Sequence, residues 1–111
     1  MRIYVAGPLT SDSAEVRRQN CFNAINAGIE VMQKGHQPLV PHLLEQMVYR
    51  AKDAGVVFTW QDCMNWCLVW LKQCEALLFL APSPGANIEL EEAKKAGLKI
   101  FYSVDEIAQK G

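Results

Sequence analysis

The sequence predicts one α/β domain built on a parallel sheet of four to five strands with helices on both faces. Two observations carry this. Short β-branched and aromatic runs alternate with longer helix-periodic segments along the whole of the 111 residues. Three of the apolar runs also stop at turn-forming pairs, Gly7-Pro8, Pro41-His42 and Ser83-Pro84. Alternation of this kind implies right-handed crossovers and a parallel sheet.

Taken in order, Arg2 to Ala6 reads as the first strand, ended by Gly7-Pro8. Ser11 or Asp12 then caps a helix from Ala14 to Lys34, and Gly35 stops it. His36 to Val40 is the second strand, followed by a helix over Leu43 to Ala51 and a long apolar helix over Thr59 to Gln73. Glu75 to Ala81 is the third strand, and the helix that Ser83 opens runs to Gly97. Leu98 to Tyr102 is the fourth strand, and Ser103 caps a last short helix over Val104 to Gln109. Ligands of such sheets bind at the carboxyl ends of the strands, where the three turn pairs converge.

Composition narrows the function. A net charge of −1 without any block of Lys or Arg gives no electrostatic footprint for polymeric nucleic acid or an anionic membrane surface. Met1 to Pro8 carries one basic residue and a five-residue apolar run, neither a signal peptide nor a span, so a cytoplasmic location is the default expectation. The four cysteines, Cys21, Cys63, Cys67 and Cys74, form no Cys-x-x-Cys pair. Cys63, Cys67 and Cys74 are spaced to share a helix face, but no histidine accompanies them, so they read as small hydrophobes and no metal is expected.

The strongest local signal is Ser83-Pro84-Gly85-Ala86-Asn87-Ile88-Glu89. Ser83 suits the N-cap and Pro84 the first helical position, leaving the N–H groups of Gly85 and Ala86 beside a serine hydroxyl. Such a terminus favours an anion, typically phosphate. Glu89 lies roughly 9 Å further along a helix rising 1.5 Å per residue, and its side chain leans back toward the terminus. That is about the span from a nucleotide phosphate to its anomeric carbon. The same residues would also serve as an ordinary helix start with a solvated acidic face.

On Ile3-Tyr4-Val5-Ala6-Gly7-Pro8, Val40-Pro41-His42, Trp70-Leu71-x-x-Cys74-Glu75-Ala76 and Ser83-x-Gly85-x-x-x-Glu89, the chain resembles the nucleoside 2-deoxyribosyltransferase superfamily. Within it, the motifs are closest to the 2'-deoxynucleoside 5'-monophosphate N-glycosidases. The resemblance implies a flavodoxin-like or Rossmann-like sheet, a homodimer, and cleavage of the bond between a base and deoxyribose without a cofactor. It implies Glu89 as the nucleophile at the anomeric carbon and Tyr4 as the residue that orients it or touches the sugar. Ser83, with Gly85 and Ala86, would hold the phosphate where transferases carry an aspartate for the 5'-hydroxyl. Gly7 and Pro8 would shape the first loop, and His42 would lie near the leaving base. Arg17 and Arg18 either reach the phosphate or sit on a solvated helix face.

One departure from the family pattern matters. Where the family carries an aspartate, this chain has Cys67, in Cys67-Leu68-Val69-Trp70-Leu71. A thiol lacks the charge and the two strong acceptors of a carboxylate. Asp62, the nearest acid, is turned about 140° away at 100° per helical residue. Three functions therefore stand: a nucleotide N-glycosidase, a nucleotide-binding protein on an enzyme scaffold, and a deoxyribosyltransferase, against which Ser83 argues. Trp66 and Trp70 share a helix face that reads as core, with Trp70 in the core-directed pattern, and the tryptophans make the dimer plausible.

Overall fold

A computed structural model describes residues 1–111. Strands β1 (Arg2–Ala6), β2 (Gln37–Leu39), β3 (Ala76–Phe79) and β4 (Lys99–Phe101) form one sheet in the order β2-β1-β3-β4, and all three pairings are parallel. Helices α1 (Ala14–Gln33), α2 (Glu45–Asp53), α3 (Trp60–Leu71) and α4 (Pro84–Lys95) connect the strands. The fold is thus the flavodoxin-like or Rossmann-like α/β sheet, with four strands.

Alternation along β1 and β3 builds two cores. Ile3 and Val5, level with Ala76 and Leu78, face Ala24, Ala27 and Val31 of α1, together with Ile107. Tyr4 and Ala6, with Leu77, face Leu71 of α3 and Ala86 and Ala93 of α4. A period of two on the strands thus commits α1 to one face and α3 and α4 to the other. Because β1 leads outward to β2 while β3 leads the opposite way to β4, strand order switches between β1 and β3. Their carboxyl ends, Ala6 and Phe79, open the crevice where such sheets take ligands. At the opposite, amino ends of β1 and β3, Glu75 pairs with Arg2 at 2.9 Å.

Several boundaries differ from the sequence expectation for local reasons. Ser13, not Ser11 or Asp12, caps α1: its hydroxyl accepts from Val16 N, while Ser11 Oγ accepts from Ser13 N. The second helix is split, with a 3₁₀ turn over Pro41–Leu44 preceding α2. α3 ends at Leu71, so Cys74 lies beyond it and does not share the face of Cys63 and Cys67. The last helix is a single 3₁₀ turn, Val104–Glu106, because Ile107 turns extended and enters the core at 1% exposure.

The tryptophans depart furthest. Met64 and Leu71 are the buried residues of α3, and Cys67 and Leu68 pack on the same core, so Trp66 and Trp70 rotate outward. They are 40% and 46% exposed, and Trp70 is not a core residue.

Two glycines serve the architecture. Gly35, at φ +86°, lets the chain leave α1 toward β2. At Gly28 a Cβ would lie 2.7 Å from Val40 Cγ2, so only glycine lets α1 close on the end of β2 and seat the Pro41-His42 turn.

Candidate active site

Three strand ends and residues of α2, α3 and α4 line a cavity of about 650 Å³. Gly7 follows β1, Pro41 and His42 follow β2, and Ser83 to Ala86 follow β3, as the turn pairs predicted. α3 closes one side with Cys63, Met64 and Cys67, and Glu89 of α4 lies among the lining residues. Gly85 lies against Met64 of α3, where a Cβ would make only an ordinary contact with Met64 Sδ at 3.4 Å.

Glu89 and Tyr4 form the chemical centre. Glu89 is 6% exposed, and the Tyr4 hydroxyl donates to its Oε2. Tyr4 is fully buried on β1, so the contact joins residues 85 apart through the packing of α4 on the sheet. Tyr4 does not line the cavity; it supports Glu89 from behind. Burial disfavours the charged carboxylate and pushes Glu89 up to about 7, against the opposing pull of the Tyr4 hydrogen bond. Burial also drives the Tyr4 phenol upward, reinforced by the charge of Glu89, so Tyr4 remains a donor.

Cys67 is the other neighbour of the Tyr4 hydroxyl. Burial pushes its thiol up to about 11, so at neutral pH it is uncharged. Asp62 does not replace the missing acid. Its carboxylate accepts from Thr59 N at 2.8 Å while Thr59 Oγ1 accepts from Asp62 N, a reciprocal cap on α3. No three His, Cys, Asp or Glu side chains converge in a geometry that could hold a metal ion.

Ser83 caps α4, its hydroxyl accepting from Ala86 N at 3.1 Å, with Pro84 at the first helical position. The α4 terminus therefore faces the cavity with its dipole positive. Arg17 also lines the cavity and donates through Nη1 to Ser11 O, whereas Arg18 is exposed and outside it.

His42, 4% exposed, is a strap between loops. Its Nε2 lies 3.2 Å from Gly7 O and 3.1 Å from Pro8 O, so an N–H there is the donor. Pro8 enters the site through this carbonyl alone and does not line the cavity. Burial lowers the imidazole below its usual value, outweighing the two carbonyls.

Of the sequence-derived residues, Gly7, His42, Cys67, Ser83, Gly85, Ala86 and Glu89 thus share one cavity, with Tyr4 and Pro8 directly behind it. The sequence points to the segment between about Gln46 and Trp60 for base identity without singling out residues; Tyr49 of α2 and Phe58 and Trp60 at the start of α3 line the cavity, as does Glu45, which lies outside that segment. The i, i+3, i+4 spacing of Glu45, Val48 and Tyr49 was the available signal, since all three face the cavity.

A family model described as "Domain of unknown function (DUF4406)" matches residues 1–102. No curated protein matches the chain.

Proposed function

The chain belongs to the DUF4406 family, and we propose that this member hydrolyses the N-glycosidic bond of a 2'-deoxynucleoside 5'-monophosphate. The observation that carries the reading is a buried, Tyr4-held carboxyl in a cavity that also meets the N-terminus of α4. The resemblance to the nucleoside 2-deoxyribosyltransferase superfamily supplies the reaction class.

The phosphate sits against Ser83, Gly85 and Ala86, with Arg17 as the one cationic side chain on the cavity. Ionised Glu89 attacks the anomeric carbon as the C–N bond breaks, and the electron pair of that bond leaves with the base, which takes a proton from water. Water then hydrolyses the glycosyl ester, which gives deoxyribose 5-phosphate and restores Glu89. No step needs a metal or a cofactor.

Cys67 favours one other reading, a nucleotide-binding protein with impaired chemistry, because an uncharged thiol stands where the nucleoside 2-deoxyribosyltransferase superfamily, which the chain resembles, carries an aspartate. The proposed protein is a cytoplasmic homodimer. In support, its four cysteines are all free and Trp66, Val69 and Trp70 leave α3 with an unpartnered apolar face. No helix is long and apolar enough to cross a membrane.

Ser83→Asp tests the phosphate seat. Aspartate caps a helix as well as serine does, so α4 persists. Its charge opposes a phosphate, and KM for monophosphates should rise about 10–100-fold while kcat/KM for nucleosides holds or improves. Steady-state kinetics on both substrate types reads this, and an unchanged KM for monophosphates would remove Ser83 from the seat.

A further inference from the structure

The proposed reaction leaves the nucleobase unassigned, and the outer wall of the cavity bears on it. α2 and the start of α3 bring three aromatic residues to that wall, Tyr49, Phe58 and Trp60, which are 50%, 39% and 47% exposed. Exposed rings on a cavity are stacking platforms for a planar base.

One charged group stands on the same wall. Glu45 lies in the first turn of α2 and forms no ion pair. An ionised carboxylate only accepts. His42 adds no second acceptor: its Nε2 is committed to the Gly7 and Pro8 carbonyls, and its Nδ1 is buried out of reach of a ligand in the cavity. The Tyr49 and Thr59 hydroxyls can donate or accept and so do not discriminate.

We propose that Glu45 forms an acceptor edge that selects nucleobases bearing an exocyclic amine over thymine, with the base stacked on the aromatic wall. This rests on the nucleotide reading of the site. Adenine, cytosine and guanine each offer N–H donors from an amine. Thymine presents carbonyl oxygens on both sides of its one ring N–H, and an acceptor edge repels them.

The test measures, by calorimetry, the affinity of Glu89→Gln protein for dAMP, dCMP, dGMP and dTMP, and repeats this with Glu45→Gln added. Base release by the otherwise unaltered protein is recorded for the same four. The amine-bearing nucleotides should bind about tenfold or more tighter than dTMP. Glu45→Gln offers a donor as well as an acceptor, so the gap should shrink to about threefold or less, mainly through improved dTMP binding. Should the Glu89→Gln protein fail to fold, the ranking of kcat/KM in wild type and in Glu45→Gln takes its place. Equal affinities, a preference for dTMP, a gap indifferent to Glu45→Gln, or no affinity for any of the four would overturn the assignment. Amine preference without base release would uphold the acceptor edge and count against hydrolysis alone. Base release without preference would do the reverse.

Discussion

Glu89→Gln should abolish base release, lowering kcat by about 10³-fold or more, and at the same time make the protein more stable at alkaline pH. Both effects come from one fact, the burial of a carboxyl that must be charged to act as a nucleophile. An amide fills the same volume and still accepts from the Tyr4 hydroxyl, but it cannot form the glycosyl bond. The stability effect follows from proton linkage. Burial raises Glu89 from 4.5 to about 7 in the folded chain, so the folded state holds its proton more tightly than the unfolded state. The resulting stabilisation is fully present below about pH 4.5 and is lost as pH rises through about 7. At pH 8 a charge is being held in an apolar setting at a cost of about 3 kcal/mol, from 1.36 kcal/mol per pKa unit. Denaturant titrations should therefore show Glu89→Gln more stable than wild type at pH 8 and little different at pH 4.5. Higher stability with retained activity would mean that the carboxyl is structural.

Tyr4→Phe should cost about tenfold or more in activity at pH 7 and displace the acid limb of the pH–rate profile to higher pH. The hydroxyl is the one hydrogen-bond donor to Glu89, and that bond pulls its pKa down against burial. Without it, less of Glu89 is ionised at neutral pH, and the buried carboxylate loses a charge-assisted bond. Wild type should gain activity as pH rises through about 7, the range in which Glu89 ionises. In Tyr4→Phe the same rise should come later and recover part of the loss by pH 9. A uniform loss with an unmoved limb would show that Tyr4 acts on packing and not on the ionisation of Glu89.

Much of this site was legible in the sequence because its parts are local. Ser83 and Pro84 announce a helix start by side-chain chemistry alone, and the cap forms as that chemistry requires. Gly7-Pro8 and Pro41-His42 end strands, and a parallel sheet brings strand ends together. The link from Tyr4 to Glu89 was supplied by resemblance; spacing could not supply it, because the residues meet only once β1 lies beside β3 and α4 packs across them. α3 was misread for a different reason. Its 12 residues, from Trp60 to Leu71, are apolar on most sides, so periodicity could not choose between the Met64 and Leu71 face and the Trp66 and Trp70 face. Contact with the sheet chose the former. The spacing of Glu45, Val48 and Tyr49 showed that they share one face of α2, but not that this face meets the cavity, because the orientation of α2 depends on the 3₁₀ turn Pro41–Leu44.

N-glycosidase activity is tested most directly by product analysis of 2'-deoxynucleoside 5'-monophosphates incubated with the wild-type chain, beside the matching nucleosides and Glu89→Gln. Free base and deoxyribose 5-phosphate should appear in equal amounts, from monophosphates in preference to nucleosides, and not at all with Glu89→Gln. No free base from any monophosphate, with protein that still melts cooperatively, would contradict hydrolysis and leave a nucleotide-binding protein in which Cys67 stands in place of the acid.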